Sequence, residues 1–322
     1  MKKLVTIIIG GTGQFGITTA KQLIRKKYKV IISTRSLKKH KNLIKLNNKI
    51  KFCKLNIYNK KEIKKIIKKY DPNYIFYFAG QSSPKKSFSK KQETFKSNVI
   101  GCKNILEVIN KEKKDCKFLN AASSEMYGKI RGKIKLSSPK KPINPYGSAK
   151  VKSFNITKMF RLKNNLKTYN AIIFNTESYL RNKKYLIPKI CLAAINAKFY
   201  GTKTAFGNIN VSREWNWCEE QSKYLIEFLK KKPQDFILSN GKNYTAKKMI
   251  KFAFDYFNID YRNFIFEKKK YFRDREVITK SSNFKVCLKR NNIKRKTKIF
   301  GQKLIKLMIL YYLNEKKHGA NK

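Results

Sequence analysis

Two short segments in the middle of the chain carry residue types that can move protons. In NPYGSAK, Tyr146 and Lys150 are four residues apart, so on a helix they lie on the same face. A lysine ammonium beside a phenol lowers the pKa of the phenol, and such a tyrosine can exchange a proton with a substrate hydroxyl. In AASSEMYG, Ser123 and Glu125 follow a run that is typical of a strand. Together the two segments predict a site for acid and base chemistry.

Each of these signals also has a simpler interpretation. The spacing of Tyr146 and Lys150 occurs often by chance, and a serine at a strand end commonly bonds the backbone. Glu125 is one of 19 acidic residues among 77 lysines and arginines, so it could simply be the partner of a cation. The proton-transfer hypothesis therefore depends on a further signal elsewhere in the chain.

A glycine-rich segment at residues 10–16 supports the proton-transfer hypothesis, because it predicts a dinucleotide site. GGTGQFG directly follows the apolar run LVTIII and opens a helical pattern. Its glycines permit a tight turn and the close approach of a pyrophosphate, whose charge meets backbone N–H groups at the helix N-terminus. The residues of this loop predicted to contact the dinucleotide are Gly10, Gly13, Gln14, Phe15 and Gly16. With a dinucleotide there, Lys150 would hold the nicotinamide ribose and Tyr146 would exchange its proton as hydride moves to the ring.

The residues after the second and third predicted strands indicate which dinucleotide is bound. An NAD enzyme usually has a carboxylate after the second strand for the ribose 2′-hydroxyl, but here the segment is STRSLKK. Arg35, with Ser36 nearby, suits a 2′-phosphate, so the sequence favours NADP; the alternative is that Arg35 is one more surface cation. After the third strand, Asn56 and Ile57 are expected to contact the adenine.

These segments lie in a regular alternation of strands and helices. Runs rich in β-branched residues predict strands at 4–9, 29–34, 51–57, 74–79, 116–121 and 170–175, and helical periods predict helices at 14–27, 60–70, 92–110 and 146–163. Such alternation indicates βαβ units, that is, an α/β fold with a Rossmann-like doubly wound parallel sheet. Ligands of such folds lie at the carboxyl ends of the strands.

The alternation fades after about residue 176. Helices are predicted at 186–197, 219–231, 246–257 and 301–314, with no internal repeat and no linker rich in proline or serine. We therefore expect a Rossmann domain with the catalytic residues over 1–175 and a smaller C-terminal α/β lobe for the substrate over 176–322. Part of the chain is expected to be shared between the two lobes.

The composition argues against several classes of protein. The formal charge of +58 would ordinarily suggest nucleic acid, yet the lysines are spread over nearly every segment and only 11 of the 77 basic residues are arginine. We interpret the excess as solvated charge that also attracts anionic ligands. Six dispersed cysteines without a CxxC pair, and two histidines outside any motif, predict neither a disulfide framework nor a metal site. Because the apolar runs are too short to cross a membrane, we expect a cytoplasmic protein without a membrane partner.

Taken in order, the motifs resemble the extended short-chain dehydrogenase/reductase family. This resemblance rests on GGTGQFG, on NVIG at 98–101, on Ser123, and on the pair Tyr146 and Lys150. Within that family the chain is most similar to the GDP-mannose 4,6-dehydratases. The segments that carry the similarity keep the family's order from residue 4 to about 280, and they are FAGQSSPKKSF, ASSEMYG, IIFNTES, GNINVSREW and YFRDREV.

The resemblance implies a lyase reaction without net redox change. Tyr146 would take the proton of the sugar 4-hydroxyl as hydride leaves C4 for NADP, and Ser123 would bond the 4-oxygen. Glu125 would then remove the acidic C5 proton and return a proton as the 6-hydroxyl leaves as water, after which the hydride returns to C6. Glu125 is the discriminating residue, because simple epimerases and reductases of the family do not need a second base there.

The resemblance also implies which residues bind the nucleotide sugar. Arg213 and Arg273 would hold the diphosphate, which guanidinium groups can bind in a bidentate way, although each could equally be an ordinary surface cation. The supporting substrate contacts would be Ser82, Asn175, Arg181, Lys189 and Glu276. Trp215 and Trp217 are expected to pack in the core and not to stack on the guanine.

Some segments depart from the family pattern. The family's His-Glu-Ser-Pro-Arg is here Thr-Glu-Ser-Tyr-Leu at 176–180, and the usual aspartate before the adenine is Asn56. These departures affect the identity of the sugar more than the reaction class, so GDP-mannose or a related nucleotide sugar is the expected substrate. The near alternative is an epimerase or 4-keto reductase, and the remote one is a non-catalytic Rossmann protein that binds nucleic acid. A homodimer or homotetramer is expected, because the helix of Tyr146 is a common pairing surface in the family.

Overall fold

The computed structural model describes residues 3–38, 49–130, 132–272, 277 and 279–319, with side chains as far as 315. Numbered in chain order within this part, the strands are β1 Val5–Ile9, β2 Lys29–Thr34, β3 Ile50–Lys54, β4 Tyr74–Tyr77, β5 Lys117–Ser123, β6 Lys133–Ile134, β7 Thr168–Ile173, β8 Thr176–Glu177, β9 Thr204–Phe206, β10 Ser212–Arg213, β11 Asn216–Trp217, β12 Asp235–Leu238, β13 Tyr244–Thr245, β14 Ile265–Glu267 and β15 Thr279–Ser282. The α-helices are α1 Gln14–Arg25, α2 Lys60–Tyr70, α3 Pro84–Ser89, α4 Lys91–Phe95, α5 Gly101–Glu112, α6 Pro145–Asn164, α7 Leu186–Tyr200, α8 Cys218–Phe228, α9 Ala246–Asp255, α10 Phe284–Arg290 and α11 Gly301–Gly319.

A parallel sheet of seven strands in the order β12-β7-β5-β4-β1-β2-β3 forms the centre of the protein. The six strands predicted in the first half are all present, so the prediction of a Rossmann-like fold is confirmed. The direction of strand addition reverses between β1 and β4, which opens a crevice at the carboxyl ends of the strands. The seventh strand, β12, comes from the second half of the chain and was not predicted.

Both faces of this sheet are buried, as β1 illustrates. Ile8 packs in a core with residues of α1 and α8, whereas Ile7 and Ile9 pack in a second core with residues of α2 and α5. Successive side chains of a strand point to opposite faces, so a strand covered on both faces has no polar alternation. This explains the continuous apolar run that the first strand shows in the sequence.

A third core lies in the second half of the chain. It is formed mainly by α7, α9 and α11, and it includes Trp215 and Trp217, which are 2% and 3% exposed. The expectation that the two tryptophans pack in the core is confirmed. Beside this core a four-stranded sheet, β13-β10-β15-β6, joins strands from both halves of the chain. The lobes therefore share strands, and the division at residue 176 stays a prediction.

Local signals in the sequence position the helix that carries Tyr146. Asn144 caps α6 by accepting a hydrogen bond of 2.8 Å from the backbone N–H of Gly147, and Pro145 occupies the first turn, where its missing N–H costs nothing. The helix ends at Asn165, which has the left-handed conformation at φ 55°. Within the described part of the chain, no helix combines the length and the apolar character needed to cross a membrane.

Candidate active site

Ser123 ends β5 at the carboxyl edge of the sheet. Its hydroxyl accepts a hydrogen bond of 3.2 Å from the backbone N–H of Glu125, which caps the short turn Ser124–Tyr127. The same hydroxyl hydrogen-bonds Tyr146, an interaction that lowers the pKa of that phenol. Ser123 therefore bonds the backbone, as the simpler interpretation holds, and also lies in contact with the proposed catalytic tyrosine.

Tyr146 and Lys150 lie on one buried face of α6, as their spacing predicted. The ammonium of Lys150 lies 5.6 Å from the centre of the Tyr146 ring and donates a hydrogen bond of 2.6 Å to the carbonyl of Ala121. Burial raises the pKa of Tyr146 to about 12 and lowers the pKa of Lys150 to about 8. The expectation of a lowered tyrosine pKa was wrong, because loss of solvent outweighs the favourable contacts of the phenolate with Ser123 and Arg181.

Glu125 is held by two side chains that the sequence analysis did not select. Asn144 donates a hydrogen bond of 2.9 Å to Oε2, and the ammonium of Lys280 pairs with Oε1. The side chain of Lys280 is only 2% exposed and that of Glu125 is 22% exposed. Although burial favours the neutral acid, Lys280, Asn144 and Arg213 together lower the pKa of Glu125. The glutamate is indeed the partner of a cation, but that cation is buried and Glu125 itself is half-buried.

Arg213 and Lys280 reach this glutamate from neighbouring strands. Their Cα atoms are register partners where β10 pairs in parallel with β15, and both side chains are buried. Arg213 donates a hydrogen bond of 2.8 Å to the carbonyl of Ser212 and lowers the pKa of Glu125. The structure thus brings Arg213 close to Glu125, and its role in ligand binding stays a prediction. No motif distinguishes Lys280 from the other lysines of the chain, whereas Asn144 has the signature of a helix cap.

A buried carboxylate beside Arg213 fixes these two strands. Glu214 is 1% exposed, and it accepts hydrogen bonds from the backbone N–H and the hydroxyl of Ser282, at 2.5 and 2.6 Å. It also accepts bonds from the hydroxyl of Ser239 at 2.5 Å and the backbone N–H of Gly241 at 2.9 Å. Glu214 therefore connects β10 to β15 and to the end of β12, which sets the positions of Arg213 and Lys280.

The glycine loop has the shape of a phosphate cradle. Gly10 has φ +73°, and a Cβ on it would lie 2.5 Å from the backbone nitrogen of Ala79; a Cβ on Gly16 would lie 2.3 Å from the Cα of Gly11. Gly13, in contrast, is exposed and has room for a Cβ, with its nearest neighbour at 3.8 Å. It precedes the first turn of α1, where backbone N–H groups have no partner within the helix. These residues fit the pyrophosphate of a dinucleotide.

Of the two side chains that follow Gly13, Gln14 contacts the second half of the chain and Phe15 lies near a ring of the first half. The amide of Gln14 donates a hydrogen bond of 3.0 Å to the carbonyl of Thr176 and accepts one of 2.9 Å from the hydroxyl of Ser178. The ring of Phe15 lies 5.6 Å from that of Phe78. The loop is thus joined to the segment that departs from the family pattern, so changes there can alter the dinucleotide site.

The residues predicted to select the dinucleotide follow β2 and β3 in the chain. Arg35 follows β2 and is exposed, and its contact with a 2′-phosphate stays a prediction. Asn56 is also exposed, and its side-chain oxygen accepts a hydrogen bond of 3.0 Å from the backbone N–H of Tyr58. Ile57 is 7% exposed, and its carbonyl accepts a bond of 3.1 Å from Asn104, so its side chain belongs to the core.

The expected substrate residues that the structure describes lie in different segments of the chain. Ser82 follows β4 and is exposed, and Asn175 follows β7 and is half-buried. The ammonium of Lys189 donates a hydrogen bond of 2.5 Å to the carbonyl of Ala205 and lies 4.5 Å from the centre of the Phe206 ring. Two further predictions, Arg273 and Glu276, fall outside the described residues.

Arg181 leads to a buried glutamate that the sequence analysis did not select. The guanidinium of Arg181 stacks at 3.7 Å on the ring of Tyr185, and its Nε lies 3.6 Å from Oε2 of Glu177. Glu177 is 2% exposed, and burial raises its pKa to about 7 in spite of the nearby arginine. A titrating carboxyl group therefore lies directly behind the segment that bonds Gln14.

Comparison with known proteins places the chain among sugar-nucleotide enzymes. The model of the family described as GDP-mannose 4,6 dehydratase matches residues 7–298. The GDP-mannose 4,6 dehydratase of Homo sapiens is 29% identical over 273 residues, which cover 78% of this chain and 71% of that protein. The GDP-mannose 4,6-dehydratase of Vibrio cholerae is 29% identical over 266 residues, which cover 78% and 71%.

Solved structures share the fold at lower identity. A dTDP-glucose 4,6-dehydratase from Streptomyces venezuelae, solved with NAD and TYD bound, superposes with a TM-score of 0.84 at 17% identity over 98% of both chains. A UDP-glucose 4-epimerase from Thermotoga maritima, solved with UDP-glucose, superposes with a TM-score of 0.84 at 18% identity over 97% of this chain and 99% of that one. Both similarities agree with the Rossmann-like sheet described above.

Proposed function

The chain belongs to the GDP-mannose 4,6 dehydratase family, and on that basis we propose that it converts GDP-mannose to GDP-4-keto-6-deoxymannose and water. The observation that carries the proposal is the position of Glu125. This carboxylate lies close enough to Tyr146 to raise the pKa of the phenol, and Ser123 contacts both residues. A dehydratase needs this second base, whereas epimerisation at C4 and reduction of a ketone do not.

The protein groups at the crevice fit a nicotinamide dinucleotide, which we propose is NADP. The loop around Gly13 would hold the pyrophosphate, Lys150 the nicotinamide ribose, and Arg35 the 2′-phosphate. When bound, the dinucleotide accepts hydride from C4 of the sugar and returns it to C6. Because the hydride comes back, the enzyme would need no external reductant.

In the proposed reaction Tyr146 and Ser123 act on the 4-oxygen. The phenol of Tyr146, in its ionised form, would remove the proton of the 4-hydroxyl, and the hydroxyl of Ser123 would donate a hydrogen bond to the same oxygen. Burial raises the pKa of Tyr146 to about 12, so the phenol alone holds its proton at neutral pH. We infer that the cationic Lys150 and Arg181 assist its ionisation by attracting the negative charge of the phenolate.

Glu125 would act on C5 and C6 in the same site. Once C4 is a ketone, the C5 proton is acidic enough for a carboxylate to remove it, and Glu125 is an anion because its pKa is lowered. The proton then carried by Glu125 would pass to the 6-oxygen, which leaves as water. One carboxylate thus serves as base and then as acid. Hydride return at C6 would leave an enolate, which would take at C5 the proton that Tyr146 removed from the 4-hydroxyl, so the proton count balances.

Arg213 is well placed to bind the anionic part of the substrate, since it is a buried guanidinium beside Glu125. We propose that it contacts the diphosphate together with Arg273, and that Ser82, Asn175, Arg181, Lys189 and Glu276 complete the nucleotide-sugar site. We also propose a homodimer or homotetramer paired through α6, which exposes Met159 at 39% and Leu162 at 66%. Light scattering on the purified protein tests this assembly.

The decisive experiment is incubation with GDP-mannose and NADP. The proposal expects a 4-keto-6-deoxy product, detected by mass spectrometry as a loss of one water, without net change in NADPH absorbance. If GDP-mannose is left unchanged, and a 4-keto nucleotide sugar supplied with NADPH is instead reduced with one-to-one consumption of NADPH, the protein is a reductase. A product of unchanged mass with inverted C4 would identify an epimerase.

A further inference from the structure

Lys280 is a buried cation that the mechanism above does not use. It lies on β15, a strand of the small sheet that joins the two halves of the chain, 155 residues after Glu125. Its side chain is 2% exposed, and its ammonium contacts Oε1 of Glu125 directly. A lysine is rarely buried to this extent unless it is paired, so the position indicates a specific role.

We propose that Lys280 is a positioning residue that keeps Glu125 ionised and aimed within the buried site, so that the glutamate is ready to act as a base. The inference rests on the proposed function, because it assigns Lys280 a part in the same dehydration step. Its physical basis is that burial disfavours the charged form of Glu125, whereas an ammonium in contact with the carboxylate stabilises that charged form. Lys280 does not touch the substrate in this proposal, and it acts only through Glu125.

The other groups around Glu125 cannot replace this contact. Asn144 holds Oε2 from the start of α6 but is neutral, and Tyr146 on the same helix carries no positive charge. Arg213 on β10 is positive and also favours the anion, and it contributes less than Lys280. Lys280 is therefore the main source of the positive charge that offsets burial among the described residues that face Glu125.

Two exchanges at this position separate charge from shape. Lys280→Met keeps the length of the side chain without the ammonium, so burial alone would act on Glu125. In the pH profile of kcat, the acid limb reports the protonation of Glu125. We expect this limb to move to higher pH by about 1–3 units, because an adjacent opposite charge usually lowers the pKa of a carboxyl group by that amount. KM for GDP-mannose should change little, and Lys280→Arg should restore the wild-type limb. As a matched control, Lys251→Met removes a lysine paired with Asp255 on the surface and should leave the profile unchanged.

A second measurement does not depend on turnover. Infrared difference spectra between each protein and its Glu125→Gln counterpart isolate the carboxylate band of Glu125, which can be titrated directly. In Lys280→Met this band should disappear at a pH about 1–3 units higher than in the wild type. If the band moves but no form of the protein dehydrates GDP-mannose, then Lys280 does keep Glu125 ionised and the proposed function is wrong.

The proposal is overturned if neither the acid limb nor the carboxylate band moves in Lys280→Met. Because loss of one partner of a buried pair can prevent folding, the double exchange Glu125→Gln with Lys280→Met provides a further test. The double variant should fold, because it removes both charges of the pair between Glu125 and Lys280. If the double variant is also unfolded, Lys280 serves only the packing of β15 and the proposal is wrong.

Discussion

Burial acts in opposite directions on the two groups of the Tyr146 and Lys150 pair. It raises the pKa of the phenol to about 12 and lowers that of the ammonium to about 8, since in each case the charged form loses contact with water. Glu125 is a further influence, because its negative charge raises the pKa of Tyr146. The protonation of Glu125 and Tyr146 is therefore coupled, and a change at one should be detected at the other.

Glu125→Gln tests the role of the carboxylate. A glutamine keeps the size and the contact with Asn144 but cannot take up the C5 proton, so kcat for dehydration should fall by about 10²–10⁴-fold. Dinucleotide affinity, measured by fluorescence titration, should stay within about threefold, a change of less than 1 kcal/mol. Glu93→Gln, at an exposed ion pair with Lys90, is the matched control and should retain full activity. Full activity of Glu125→Gln would contradict the assignment.

Arg35→Ala tests the choice of dinucleotide. A charge-assisted hydrogen bond contributes about 1.5–3 kcal/mol, so losing the guanidinium should weaken NADP binding by about 10–100-fold. NAD has no 2′-phosphate, so its affinity should be unaffected. Calorimetric titration of both dinucleotides measures the difference, and Lys26→Ala, at the far end of α1, controls for the general loss of positive charge. Equal weakening of both dinucleotides would identify Arg35 as an ordinary surface cation.

At the scale of elements, the site residues lie at the end of one strand, near the start of one helix and on a pair of short strands. The strand β5 presents Ser123, α6 presents Tyr146 and Lys150, and the pairing of β10 with β15 brings two cations to Glu125. The glycine loop before α1 is different, because its backbone and not its side chains would meet the ligand. Exchanges of single glycines can therefore separate the loop's role in folding from its role in binding.

Gly13→Ala and Gly16→Ala should have opposite outcomes. A methyl group on Gly13 meets nothing closer than 3.8 Å, and its φ of −83° suits alanine, so stability should change by less than about 0.5 kcal/mol. Dinucleotide affinity should nevertheless fall, since the methyl group occupies the space of the pyrophosphate. Gly16→Ala forces a contact of 2.3 Å with Gly11 and should lower the melting temperature itself. Unchanged affinity in a folded Gly13→Ala would exclude a pyrophosphate at this position.

At the scale of the whole molecule, the site depends on segments from both halves of the chain. Gln14 forms hydrogen bonds with Thr176 and Ser178. Glu177, the residue between these two in the sequence, is buried. A buried acid with a raised pKa links the stability of the fold to pH. Because the glutamate is neutral when buried and charged when unfolded, rising pH favours the unfolded chain.

Glu177→Gln should remove this pH dependence. The pKa of Glu177 is about 7 in the fold against an ordinary value of 4.5, so its stabilising contribution is complete below 4.5 and is lost as pH rises through 7. The shift corresponds to about 3 kcal/mol. Urea unfolding at pH 4.5–8 should show a flatter profile for the variant than for the wild type. The control Glu227→Gln, at a surface pair with Lys230, should follow the wild type, and identical profiles for all three proteins would disprove the linkage.

The sequence by itself determined the six sheet strands of the first half, the longer helices, the glycine loop and the spacing of Tyr146 with Lys150, because these depend on local periodicity and local sterics. It also placed Ser123 and Glu125 at a strand end. Only the tertiary structure decided that the cation beside Glu125 is Lys280, that Glu177 is buried, and that the pKa of Tyr146 is raised. The physical reason is that ion pairing and desolvation depend on neighbours that are distant along the chain, 155 residues away for Glu125, and no local pattern encodes them.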